Sequence, residues 1–148
     1  MKYLVALLIC FISAQVQAGV CSRGVERLVE VEDITNCANQ GDASAQFILG
    51  EIYFQGKEVA QNYKIAFDWV SKAAAQGDKA AQSALGFYYY NGWGTKKDHM
   101  SAYTWWSLSI VNNEEPVVRR NLTDLERELA PADLDRAQKL ASDWSVRH

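Results

Sequence analysis

The side chains able to do chemistry in this 148-residue chain are few and scattered. Gly50 and Gly56-Lys57, in the stretch EIYFQGK, suggest a phosphate loop. Five residues separate those glycines where a phosphate-cradling loop has four, and no Ser or Thr follows the lysine to reach a magnesium ion. A nucleophile of the penicillin-recognising type needs a lysine three residues after a serine, and no serine here has one. Of the two histidines, His99 lies near an expected helix start and His148 ends the chain, so both read as surface residues. Asp124, Glu126, Glu128, Asp133 and Asp135 are dense enough to suggest metal ligation or an acid/base pair, but solvation of exposed helix faces explains them more simply. The expectation is a protein that is not an enzyme, with no catalytic residue, no cofactor and no metal.

The first residues bear on where such a chain works. Lys2, the apolar run Leu4 to Ile12 and the small-residue end Val16-Gln17-Ala18 have the form of a secretory signal peptide cleaved after Ala18. Cys10 after Leu7-Leu8-Ile9 offers a lipid anchor as the rival reading, against which Ile9 stands where a small residue belongs. The expected location is the periplasm, with secretion beyond the cell as the alternative and no stable membrane insertion after cleavage. Cys21 and Cys37 would then sit where disulfides are permitted. A single helix from 21 to 37 would hold them roughly 24 Å apart, too far for a bridge. Either the segment folds back near Glu32-Asp33 and the bridge forms, which is favoured, or both thiols stay free. Net charge is −3, with no run of like charges, which argues against nucleic acid or an anionic membrane as the main partner.

The elements that position these residues come from a repeat. The segment from Ala38 lies over the segment from Ala74 without a gap, at an offset of 36. Gly41 pairs with Gly77, Asp42 with Asp78, Ala45-Gln46 with Ala81-Gln82, and Leu49-Gly50 with Leu85-Gly86. Tyr53 pairs with Tyr89, Gly56 with Gly92, Ala66 with Ala102 and Trp69 with Trp105. Each unit reads as two helices, about 43–55 and 63–76, then 79–91 and 99–111, with Asp42, Asn62, Asp78 and Asp98 as N-caps and Gly56 and Gly92 as breaks. Gly50 and Gly86 in mid-helix predict close helix approach, and Tyr53, Trp69, Tyr89 and Trp105 are expected to fill the space around it. Val25 to Ala38 reads as an N-terminal cap, and Glu114–Leu129 and Pro131–Val146 as two C-terminal helices. The last carries an apolar stripe of Leu134, Ala137, Leu140, Ala141 and Trp144.

These motifs resemble the Sel1-like repeat family, a branch of the tetratricopeptide-type helical solenoids. The resemblance implies an all-α fold, a right-handed α-solenoid of antiparallel helix pairs with capping helices. The expected organisation is a signal peptide at 1–18, an N-terminal cap at 19–40, repeats at 41–76 and 77–112, and divergent capping helices at 113–148. It also implies a scaffold that binds other proteins, such as an envelope adaptor or a regulator, inhibitor or immunity protein. Some cysteine-rich relatives bind β-lactams, so a β-lactam or cell-wall hydrolase is one alternative and a secreted factor binding a host protein another. Neither repeat here contains the cysteine pair of those relatives. Gly56-Lys57-Glu58 also lacks the second glycine of Gly92-Trp93-Gly94, which predicts a differently shaped loop.

What remains is a surface. Phe47, Glu51 and Phe54 share one face of their helix, and Ser83, Phe87 and Tyr90 occupy that face one repeat on. With first helices lining the concave side, Phe47, Phe54, Phe87 and Tyr90 would form an aromatic groove for a protein partner of a monomeric or weakly oligomeric chain. The tip at Trp93, beside Lys96 and Lys97, is a second candidate, and Trp106 could extend either surface. The plainer alternative is that these rings only pack against neighbouring helices.

Overall fold

The structure is a computed structural model and describes Cys21, residues 31–111 and residues 115–147. The expected signal peptide and the stretch from Val25 to Glu30 lie outside the described residues. Seven helices follow one another: α1 (Val31–Asn39), α2 (Ala43–Gln55), α3 (Tyr63–Ala75), α4 (Lys79–Asn91), α5 (His99–Ser109), α6 (Pro116–Glu128) and α7 (Pro131–Arg147). No strand occurs among the described residues. Each helix packs on the next from α1 to α5, and α5 then carries both α6 and α7, which makes a helical solenoid closed at one end by two capping helices.

Local chemistry sets the boundaries. Asp42 accepts the Ala45 N–H at 2.7 Å and Asp78 the Ala81 N–H at 2.8 Å. Asn62 accepts from Lys64 and Ile65, and Asp98 from Ser101. Replacing such a cap by alanine costs about 1 kcal/mol. Gly56 and Gly92 end α2 and α4 in the left-handed region, at φ 68° and 78°. The second helices stop slightly earlier than expected, with Gln76 and Ile110 as C-caps.

Two buried glutamines join consecutive helix pairs. Gln46 Nε2 donates to the Ala38 carbonyl at 3.1 Å and Gln82 Nε2 to the Ala74 carbonyl at 3.2 Å. Both acceptors lie in the last turn of the preceding helix, where carbonyls have no intrahelical partner. Gln76 Nε2 then donates to Gln46 Oε1 at 2.8 Å, and Lys79 Nζ to Gln82 Oε1 and the Leu108 carbonyl.

Within each pair the glycines do what their recurrence predicts. A Cβ on Gly50 would stand 2.6 Å from Val70 Cγ2, and one on Gly86 2.7 Å from Trp106 Cγ and nearer still to Cδ1 and Nε1. The residue facing the glycine is therefore at position 70 and, one repeat on, 106. This corrects the expected filling. Trp106 is 0% exposed and Tyr88 2%, whereas Tyr53, Trp69, Tyr89 and Trp105 are only half-buried at the edges of the core. Trp106 also donates its indole N–H to the Ser83 carbonyl at 3.1 Å.

The closing end depends on α5. Ala102, Tyr103 and Trp106 pack with Val118, Leu122 and Leu125 of α6 and Ala137 of α7. Tyr103 Oη donates to Glu126 Oε1 at 3.0 Å and accepts from Gln138 Nε2 at 3.3 Å, so one phenol ties three helices. The stripe expected on α7 is only partly buried: Ala137 is fully covered, but Leu140 is 46% exposed. At the other end Cys21 and Cys37 are joined, with Cα atoms 5.5 Å apart; Cys37 is itself buried against Ile34, Ala45 and Leu49.

Gly86→Ala should lower stability by about 3 kcal/mol through overpacking against Trp106. Gly41→Ala meets no atom within 4 Å but sits at φ 96°, and should lose only about 1–2 kcal/mol. Urea denaturation followed by far-UV circular dichroism checks both. Intact protein should take up no alkylating label at Cys21 or Cys37 until reduced, and reduction should lower stability by about 3 kcal/mol for a loop of this length, read by mass spectrometry and the same denaturation curve.

Candidate functional site

Each first helix runs into a loop that returns to the start of the second. The Asn62 N–H reaches the Tyr53 carbonyl at 2.9 Å, and the Asp98 N–H reaches the Tyr89 carbonyl at the same distance. The two loops thus close in one register even though Glu58 stands where the second has Gly94. Gly94, at φ 68°, abuts the Tyr63 carbonyl so closely that no side chain fits there. That contact presses the second loop onto the beginning of α3.

The result is an aromatic edge along one side of the solenoid. Phe54 lies 5.3 Å from Tyr63, 5.6 Å from Tyr88 and 4.9 Å from Trp93, measured between ring centroids. One repeat on, the pair equivalent to Phe54–Tyr63 is Tyr90–His99, stacked at 5.1 Å. Tyr63 and Tyr90 are 38% and 37% exposed, while Trp93 is half-buried. Tyr90 also rests on Trp106 at 5.5 Å, so its ring is held by the core beneath it.

The expected groove is reduced by packing. Phe47 packs against the core around Val70, Ala81 and Leu85, and Phe87 stands edge-on to Trp106 at 5.0 Å. Ser83 is buried and donates to Glu115 Oε2 at 2.9 Å. Trp106 is fully buried and Ser83 nearly so, so neither belongs to a contact surface. The structure brings Phe54 and Trp93 together, adds Tyr63, which the sequence reading passed over, and leaves Tyr90 beside them one period away. The signal for Tyr63 was its match with His99 across the repeat.

Glu51 is half-buried beside this edge, and burial raises its carboxyl above the usual range, partly offset by a hydrogen bond with Gln55. Glu51, Ile48, Ile52, Gln55, Lys57 and Glu58 line a cavity of about 200 Å³. The Tyr88 hydroxyl is buried without a hydrogen-bond partner. Burial first, then the nearby Glu51 and Tyr63, push its ionisation well above the ordinary tyrosine range.

The acids considered as ligands have separate partners. Asp124 faces Arg127 at 3.5 Å, Asp133 faces Arg136 at 3.7 Å, Glu128 faces His99 Nδ1 at 3.6 Å, and Glu126 holds Tyr103. Asp135 is exposed on α7. Among the described residues no three His, Cys, Asp or Glu side chains converge as a metal site would require; His148 lies outside them. Lys57 is exposed beyond the α2 C-cap. No described helix is long and apolar enough to cross a membrane.

The pairing of a small mid-helix glycine, a buried glutamine and an Asp-capped first helix, repeated at one offset, agrees with the Sel1 repeat model, which matches residues 43–78 and 79–110. The chain carries two Sel1 repeats. A protective antigen of uropathogenic Escherichia coli displaying an SLR fold superposes with a TM-score of 0.73 at 32% identity, over 88% of this chain and 29% of that one. A Sel1 repeat protein from Oxalobacter formigenes superposes at 0.54 with 33% identity, over 55% of this chain and 63% of that one. Cysteine-rich protein B of Helicobacter pylori shares the fold at 0.56 and 20% identity, over 61% and 67% of the two chains. No curated protein matches. The chain spans less than a third of the antigen's length and under two thirds of the Oxalobacter protein's.

A phenol kept protonated in the folded state is disfavoured once the unfolded chain ionises, so native stability should fall as pH rises above about 10. Tyr88→Phe should reduce that slope, and at neutral pH should raise stability by up to about 1 kcal/mol by removing an unpaired buried hydroxyl. Urea midpoints across pH 7 to 11 check both.

Proposed function

We propose that this chain is a non-catalytic scaffold that works outside the cytoplasm, in the periplasm, by holding another protein against its aromatic edge. Sel1 repeats generally mediate protein–protein interaction, and the observation that carries the reading here is the ring pair Phe54–Tyr63, joined by Trp93, and its counterpart Tyr90–His99 at the equivalent positions one repeat on. Rigid aromatics on a fixed backbone are the usual anchors of protein interfaces. An exported role is supported by the leader-like first eighteen residues and the Cys21–Cys37 bridge, since bridges persist in oxidising compartments. The likeness to a protective antigen accords with it. The partner role is that of an adaptor, or of an inhibitor or immunity protein.

Tyr63→Ala with Tyr90→Ala should keep the far-UV circular dichroism of the parent, because both rings are over a third exposed. Capture of partner from an envelope extract should fall at least tenfold, the loss of about 1.4 kcal/mol or more expected when anchors are truncated. Unchanged capture by the folded variant would remove the edge from the interface. Turnover of a chromogenic β-lactam by pure protein is expected to be absent; measurable turnover would favour the hydrolase alternative.

A further inference from the structure

The two ends of the Cys21–Cys37 bridge sit in different surroundings. Cys37 is 1% exposed and belongs to the core, packed with Ile34, Ala38, Ala45 and Leu49. It occupies a position that the repeats bury: one and two periods on stand Ala73 and Ser109, 0% and 1% exposed. Its carbonyl is fixed as well, accepting the Gln40 N–H at 3.1 Å and the Asp42 N–H at 3.2 Å, while Gln46 holds the neighbouring Ala38 carbonyl. Cys21 packs at the margin of the same cluster and is only half-buried. Its Sγ is 3.9 Å from Oε1 of Gln40, an exposed residue of the turn after α1.

Thiol–disulfide exchange begins with a thiolate reaching one of the two sulfurs, so access decides which new bond forms. The core covers Cys37, and at the packing density of a protein interior no thiolate enters there while the fold holds. We propose that the bridge opens from the Cys21 end alone, which makes Cys21 a site of reversible S-thiolation by a small thiol or by the thiolate of a disulfide-exchange protein. The incoming sulfur bonds to Cys21 Sγ, the Cys21–Cys37 bond breaks, and its electron pair leaves on Cys37 Sγ, which takes a proton from water. One disulfide replaces another, and no outside oxidant or reductant is consumed. The leaving sulfur lies among apolar side chains that solvate its charge poorly, so the step is slow. Opening takes no residue out of the core. Cys37 stays where Ala73 and Ser109 stand in their repeats, α1 keeps its packing on α2, and only the tether to Cys21 is released. The proposal does not depend on the aromatic edge or on any partner held there.

Glutathione is the probe. Cys37→Ala copies the residue of the next repeat and leaves Cys21 as a thiol, and Cys21→Ala leaves Cys37 alone. With oxidised glutathione, folded Cys37→Ala should gain one glutathione by intact mass and release one reduced glutathione, at a rate within about threefold of a cysteine in a short unstructured peptide. Folded Cys21→Ala should react about a hundredfold more slowly until urea unfolds it. In the parent chain, exposure to reduced glutathione, acid quenching and peptide mapping should place the mixed disulfide on Cys21. This last measurement needs no variant, so it decides the matter even if a substitution unfolds the chain. Glutathione on Cys37 in equal or greater amount, similar rates in the two folded variants, or opening of the parent bridge only at the rate of global unfolding overturns the proposal.

Discussion

The close approach of each first helix to its own second helix, across Gly50 and Gly86, sets the rest of the molecule. A glycine in mid-helix weakens an isolated helix by about 1 kcal/mol relative to alanine, and nothing local in α2 or α4 offsets it. The compensation is tertiary: Val70 and Trp106 lie directly over the two glycines, and neither could stay there if a Cβ were added. Trp106 brings more than its own burial. Its ring supports Phe87 and Tyr90 from below and meets the residues of α6 from behind, so one contact joins the second repeat, the capping helices and the aromatic edge.

A second constraint acts between pairs. Gln46 and Gln82 are polar residues placed at core positions, tolerated because each satisfies a carbonyl that a helix end leaves without a partner. A hydrophobic residue of similar size would fill the space and leave that carbonyl unpaired. The glycines fix the distance between two helices of one pair, and the glutamines fix how one pair meets the next. Together they hold the two inter-helix loops side by side, which is what brings Trp93 onto Phe54 and Tyr63 and leaves Lys96 and Lys97 outside.

Most of the architecture was legible because it repeats. The first helices, both sets of caps and the breaks at Gly56 and Gly92 follow from residues that recur at one offset and from chemistry each position can do locally. The misreadings share a cause. Trp105 reads as core because it repeats Trp69, while Trp106 reads as an extension of the contact surface; its counterpart Val70 carries no aromatic ring to mark the position as core. The geometry conserves the position facing the glycine and not the identity of the residue there, so the larger side chain in the second repeat was hidden from a comparison of letters. Tyr88, opposite Ile52 in the repeat, was missed in the same way. Ser83 was placed by its helix face, which could not show that Glu115 from the capping region would cover it. Leu140 shows the converse: its spacing fits an apolar stripe, but α7 buries Ala137 and leaves Leu140 46% exposed.

Exchange of the Trp106 indole proton with solvent tests this account most directly, since that N–H is buried and bonded to the Ser83 carbonyl. Among the five tryptophans it should exchange slowest, at the rate of the most protected backbone amides of α4 and α5, because only global opening exposes it. Exchange as fast as that of Trp93 at the edge, or well ahead of the core amides, would mean that the contact over Gly86 does not hold the scaffold together.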